Sequence, residues 1–203
     1  MKNAHDRKPA FIIVSLFLLI ILWISFVIWK DPEHTLKMLN RSAGLYAYLF
    51  VFLAIVSSEY MSKMKVLLGS SFMKVHHFLA RAGILLMLVH PISFAIEKKD
   101  LMVFVPVFYP PITFLELAGR PALYLFLIAA VAAVYRKKLV KKWKNIHYLN
   151  YLAFILVSMH AMLIGTDIVS AGARITVTFM ALLVTAIFFH KRLGTKRKSI
   201  KKN

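Results

Sequence analysis

Four histidines lie inside segments that otherwise hold almost only apolar side chains. His76 and His90 belong to KVHHFLARAGILLMLVHP, and His147 and His160 belong to WKNIHYLNYLAFILVSMHA. Neutral imidazole is a good ligand for zinc, copper, iron and haem iron. Because each polar ring in hydrocarbon is costly, four of them in two such segments indicate a function. We take these positions as the candidate site.

The spacing of the histidines is nearly the same in the two segments. Fourteen residues separate His76 from His90, and thirteen separate His147 from His160, so the two rings of each helix lie roughly 20 Å apart. Two helices could therefore offer facing pairs of imidazoles at two depths. His90 returns to within about 40° of His76 but lies about 140° from His77, which makes His77 a reserve ligand. Thirteen residues also place His147 about 140° from His160 around a regular helix. Either the helix therefore unwinds locally, or two centres approach it from different sides.

The residue types around the histidines favour haem over a smaller metal centre. A zinc or copper site needs three or four close ligands, often with a carboxylate, and Glu59 and Glu116 lie near the ends of apolar segments instead. Two imidazoles on facing helices, with small residues beside them, suit a planar macrocycle. The chain has no cysteine, which excludes thiolate-bound haem and iron–sulfur ligation. We expect two b-type haems that carry electrons.

The elements that position these rings are predicted to be transmembrane helices. The chain has 203 residues, 60% of them hydrophobic, and a net charge of +19. The charges are grouped between long apolar runs, as in a polytopic membrane protein. We predict one all-α transmembrane domain, a six-helix bundle with haem between spans three and five, and no internal repeat of fold size. The predicted spans are 9–29, 42–58, 76–96, 121–135, 146–164 and 175–190, with residues 1–8 before them and a basic tail at 191–203.

The basic residues predict the orientation in the membrane. Nineteen Lys and Arg residues fall in the N-terminal segment, the second and fourth connections and the tail, and seven fall on the other side. By the positive-inside rule both termini are cytoplasmic, in the inner or plasma membrane. The same rule explains the basic tail, so no nucleic-acid partner is expected. The glycines form no GxGxxG or P-loop cluster, so no flavin or nucleotide site is expected either.

These segments resemble the ferric reductase-like transmembrane family, which includes the haem cores of ferric reductases and NADPH oxidases and the haem-binding membrane subunit of the periplasmic methionine sulfoxide reductase. HHFLARAGILLMLVHP, with His76, Arg81 and His90, is similar to the family's third-span pattern. WKNIHYLNYLAFILVSMH, with His147 and His160, is similar to its fifth-span pattern. GRPALYLFLIAAVAAVYRKKL is similar to the fourth span and the basic turn after it.

The resemblance covers about residues 42–190 and implies an oxidoreductase component that passes electrons across the membrane. It implies that His76 and His147 bind the inner haem, and that His90 and His160 bind the outer one. The methionine sulfoxide reductase subunit lacks a counterpart of His76. The chain also lacks the flavin–nicotinamide domain of many relatives, so the expected donor is a separate cytoplasmic flavoprotein or a quinol. The acceptor is expected on the exterior face.

Three further features carry expectations. Arg81 lies about 8 Å from His76 along the helix axis and could pair either with a haem propionate or with lipid phosphate. The stretch 101–119 is apolar but broken by prolines, so it cannot be a regular span; we interpret it as a cap over the outer haem or a lipid-facing loop. Glu116 and Arg120 would pair if that part is one helix.

Two other classes of function remain open. A six-span metal or proton transporter could use membrane histidines, but it would normally need intramembrane carboxylates. A structural or assembly subunit would leave the paired depths of the histidines unexplained. His5 and His34 in polar segments and His190 at a helix end are expected to have no part in the site.

Overall fold

The computed structural model describes residues 19–23, 25–26, 35–59, 66 and 72–200, with the side chains of residues 191–200 and of Phe72 left out. This described part is helical and contains no strand. The chain divides into two compact units, Met1–Leu101 and Met102–Asn203.

The first unit contains a hairpin of two long helices. Helix α1 spans Thr35–Glu59 and helix α2 spans Phe72–Lys98. They run antiparallel, because the start of α2 contacts the end of α1 and the reverse holds at the other end. Small side chains of α1 are buried along this contact and let the two backbones approach closely. These side chains are Ala43, Ala47 and Ala54.

The second unit is built around another antiparallel pair of helices. A short 3-10 turn, Leu101–Phe104, at the boundary of the units is followed by helix α3 (Pro111–Glu116) and helix α4 (Gly119–Val134). Two short helices, α5 (Arg136–Leu139) and α6 (Lys142–His147), lead into α7 (Leu149–Ile164) and α8 (Ala171–Ile200). Helix α7 packs against α3, α4 and α8.

Four helices are long and apolar enough to cross a membrane, which agrees with the predicted membrane protein. They are Thr35–Glu59, Met73–Lys98, Lys142–Ile164 and Ala171–His190. Large apolar side chains are exposed along them, for example Leu85 at 63%, as expected of surfaces that lipid covers. Helix α4, the predicted fourth span, has 16 residues and is shorter. Most of the predicted first span lies outside the described residues.

The prediction that the stretch 101–119 is not a regular span is confirmed. The chain forms the 3-10 turn, an extended segment with a cis Tyr109–Pro110 bond, and the short helix α3. Pro111 occupies the first turn of α3, where a missing backbone N–H costs nothing. The packing of α3 against α7 brings the end of this stretch to the helix that carries His160.

Candidate functional site

Both predicted histidines of the first unit contact backbone carbonyls of α1. The Nδ1 atom of His76 lies 3.1 Å from the carbonyl oxygen of Ala54. The Nδ1 atom of His90 lies 3.0 Å from the carbonyl oxygen of Asn40. The Asn40 side chain also donates from Nδ2 to the backbone oxygen of His90, at 2.6 Å. Asn40 therefore holds His90 by two hydrogen bonds in opposite directions.

The two histidines of the second unit are held in the same way. The Nδ1 atom of His147 lies 3.1 Å from the carbonyl oxygen of Ala129 in α4. The Nδ1 atom of His160 lies 2.6 Å from the carbonyl oxygen of Glu116, at the end of α3. We call His76 and His147, near the start of their spans, the early histidines, and His90 and His160 the late histidines.

These contacts fix the tautomer of all four rings. A carbonyl oxygen only accepts hydrogen bonds, so in each ring Nδ1 is the nitrogen that donates. In the neutral imidazole Nε2 then carries the lone pair, and it is the nitrogen that can bind a metal. Metal-binding histidines almost always donate their other ring nitrogen to a carbonyl or carboxylate, which fixes the ring plane. Neutral imidazoles with Nε2 as the ligating atom are a donor type that fits haem iron.

The chain between His147 and His160 is not one regular helix. Helix α6 ends at His147 and α7 begins at Leu149. At this step the Tyr151 N–H donates to the oxygen of Tyr148, three residues earlier, at 3.1 Å. This turn is tighter than an α-helix, so it differs from the local unwinding considered from the sequence. His147, at the end of α6, contacts α4, and His160 in α7 contacts the end of α3.

The surroundings of the early histidines differ between the two units. The indole of Trp143 lies 5.8 Å from the His147 ring, centroid to centroid, and the side-chain amide of Asn150 lies 3.4 Å from its Nε2. The His76 ring has the His77 ring 5.9 Å away. Each early ring therefore has an aromatic neighbour, and the Asn150 amide lies beside the nitrogen of His147 that would bind iron.

His77 and Arg81 lie on a different face of α2 from His76. They line an open groove of about 470 Å³ together with Lys74, Phe78, Ala82 and Leu85. The side chains of His77 and Arg81 are exposed, whereas His76 is half-buried against α1. Of the two adjacent histidines, His76 thus has the anchored geometry of the other three rings. The role of Arg81 towards a propionate or a lipid stays a prediction.

The predicted ion pair between Glu116 and Arg120 does not form. Helix α3 ends at Glu116 and α4 begins at Gly119, so the two residues do not lie on one helix. The Arg120 guanidinium donates instead to the carbonyl oxygens of Met102 and Val105, at 2.9 and 3.0 Å. Arg120 thereby ties the start of the stretch 101–119 to α4, while Glu116 contributes its backbone oxygen to His160.

Sequence inspection missed the groups that hold the rings. All four hydrogen-bond acceptors are backbone oxygens. Three of them belong to residues whose type gives no signal in the sequence, Asn40, Ala54 and Ala129. A backbone oxygen leaves no trace in residue type, so only the pairing of helices reveals it. Among the residues that the structure describes, no group of three His, Cys, Asp or Glu side chains is placed to hold a metal ion. His5 and His34 lie outside those residues.

Comparison with known proteins does not assign the chain to a family. No protein-family model matches the sequence, and no curated protein and no solved structure matches it significantly.

Proposed function

We propose that the chain is a transmembrane cytochrome b subunit, similar to the ferric reductase-like family, that passes electrons through two bis-histidine haems. The observation that carries the proposal is the common anchoring of four imidazoles inside apolar helices. In each ring Nδ1 donates to a backbone oxygen of another helical element, which leaves the lone pair on Nε2. Four rings with one tautomer are expected of iron ligands and are not required for helix packing.

The assignment of rings to haems follows the order of depths in the sequence. His76 and His147 are assigned to the inner haem, and His90 and His160 to the outer haem. With two imidazoles bound to each iron, no position would be left for water or a small substrate, and the group would serve electron transfer.

The haem, when bound, supplies a one-electron couple between ferric and ferrous iron. The residues of the chain hold the ligands still while the charge changes. A hydrogen bond from Nδ1 raises the basicity of the imidazole and fixes its plane. A ring held at both nitrogens needs little reorganisation when an electron arrives or leaves.

The electron donor is proposed to bind at the basic turn beside His147. Helices α5 and α6, together with Lys141 between them, carry six Lys and Arg residues, and these side chains are exposed. They are Arg136, Lys137, Lys138, Lys141, Lys142 and Lys144. Such a cluster attracts an acidic protein surface and speeds encounter. A cytoplasmic flavoprotein with an acidic face fits this surface, and a membrane quinol is the other donor that the proposal allows.

The proposal places six spans in the cell membrane, the first at 9–29, with both termini cytoplasmic. The acceptor is then reduced on the exterior face, close to the late histidines and the stretch 101–119. Anionic lipid would contact the basic cytoplasmic ends of the helices.

Electron transfer across a sealed bilayer tests this function. The protein is reconstituted into liposomes that contain ferricyanide, and a reduced flavodoxin-type protein is added outside. We expect ferricyanide inside to be consumed through the wild type. Liposomes with the His76→Ala/His90→Ala variant are the matched control and should stay at the rate of empty liposomes. Equal rates for wild type and control would refute the electron-transfer proposal.

A further inference from the structure

We propose that Gly44 and Gly119 are positioning residues, one in each unit, that fix the rings of the late histidines; this inference rests on the proposed function. Each glycine lies in the helix that faces its histidine, with no side chain between backbone and ring. Each late ring therefore lies directly against the helix backbone.

The distances show how closely the rings approach. A Cβ atom added at Gly44 would lie 2.9 Å from Nδ1 and 3.0 Å from Cε1 of His90. A Cβ atom added at Gly119 would lie 3.2 Å from Cδ2 and 3.3 Å from Nε2 of His160. Carbon atoms in contact prefer about 3.5–4.0 Å. Any larger residue at either position therefore displaces the ring or separates the helices.

A repeated sequence pattern places both glycines. Residues 43–54 read AGLYAYLFVFLA and residues 118–129 read AGRPALYLFLIA. The shared positions form Ala-Gly-x-x-Ala followed by an alanine seven residues later. All six alanines are buried. They are Ala43, Ala47, Ala54, Ala118, Ala122 and Ala129.

The same pattern also serves the early histidines. Its last alanine, ten residues after the glycine in each unit, supplies the backbone oxygen that accepts from the early ring, Ala54 for His76 and Ala129 for His147. Ten residues correspond to about 15 Å of helix. One stretch of twelve residues therefore contacts both histidines of its unit, the late ring through the glycine and the early ring through the alanine.

This arrangement assigns the glycines to one haem only. Gly44 and Gly119 both face late histidines, whereas the nearest neighbours of Gly83 are side-chain and backbone atoms of Val51 and Phe50. Gly172 has no heavy atom within 4 Å of an added Cβ. A methyl group at Gly44 or Gly119 should therefore change the ligand plane of the outer haem and leave the inner haem as it is.

The test uses full-length variants Gly44→Ala and Gly119→Ala. Gly83→Ala is the control for crowding alone, because its Cβ would lie 3.1 Å from Cγ2 of Val51, and Gly172→Ala is the control for open space. The readouts are the midpoint potentials of the two haems and the electron paramagnetic resonance signals of their low-spin ferric forms. We expect both test variants to shift the same one of the two signals, the one that His90→Ala removes, and both controls to keep both signals.

Two results would overturn the inference while leaving the function intact. One is a pair of unchanged signals in Gly44→Ala and Gly119→Ala. The other is a shift of the signal that His76→Ala removes. If Gly44→Ala does not fold, Gly119→Ala decides, because its contact is longer. If the wild type binds no haem, the proposed function fails by itself. The glycines are then tested by ¹⁵N resonances of the histidine side chains, which should move for His90 and His160 in the alanine variants and not in the controls.

Discussion

The pairing of the four histidines makes a prediction that double variants can test. If one early and one late haem exist, each single His→Ala substitution removes one axial ligand. A single variant at either level should then keep about one haem per chain of the two in the wild type, because a haem held by one imidazole is lost on purification. The early-level double variant, His76→Ala/His147→Ala, should also keep about one, since both changes remove the same haem.

The variant His76→Ala/His160→Ala combines the two levels and gives the opposite result. Its two changes remove ligands of different haems, so the haem content should fall to about zero. The double variant at one level therefore keeps as much haem as its single variants, whereas the double variant across the two levels loses both haems. Haem is measured per chain by the pyridine haemochrome assay on protein that elutes as one species from size exclusion. Equal haem contents in the two doubles would refute the two-level arrangement.

Three further predictions follow from individual contacts. His77→Ala should keep two haems and the wild-type spectrum, because His77 lies on the exposed face of α2. His76→Ala should lose one haem. A loss of haem in both variants would show that both rings act as ligands. Lys137→Glu/Lys141→Glu should slow reduction by an acidic flavoprotein about tenfold at low salt, without loss of haem. In stopped-flow traces the difference from the wild type should vanish at high salt. An unchanged rate at low salt would exclude this turn as the docking surface. Phe154→Ala, at a fully buried ring, should cost about 3–5 kcal/mol of unfolding free energy, because the lost packing contacts and the cavity left behind add together. The loss is measured by unfolding in mixed micelles. Leu152→Ala on the exposed face of the same helix is the control, and equal losses would contradict the packing described for α7.

The helices and the histidines could be predicted from the sequence because both depend on residue type. Long apolar runs bounded by charge gave the positions of α1, α2, α7 and α8, and the cost of an imidazole in hydrocarbon singled out the four rings. A local unwinding between His147 and His160 was one of two alternatives, since thirteen residues do not make a whole number of turns, and the structure has a tighter turn at Tyr148. The preference for His76 over His77 as a ligand rested on the same arithmetic and stays a prediction.

The groups around the rings could not be predicted, because they depend on which helices become neighbours. The backbone oxygens of Ala54 and Ala129 carry no signal in residue type. The Arg120 guanidinium found carbonyl groups instead of the carboxylate four residues away because the chain breaks between α3 and α4. The repeated Ala-Gly-x-x-Ala pattern was overlooked, since it shares only small residues and the two histidine spacings differ by one. The role of the pattern follows from the contacts of Gly44 with His90 and of Gly119 with His160.

The central claim, that the four anchored imidazoles bind two haems, is tested most directly on the wild-type protein. The measurement is an oxidised-minus-dithionite-reduced optical spectrum of protein purified from haem-supplied cells, with haem quantified per chain. The account predicts the spectrum of low-spin b-type haem with about two haems per chain. A colourless, correctly folded protein would contradict it and would favour a transporter that uses the same histidines for protons or metal ions.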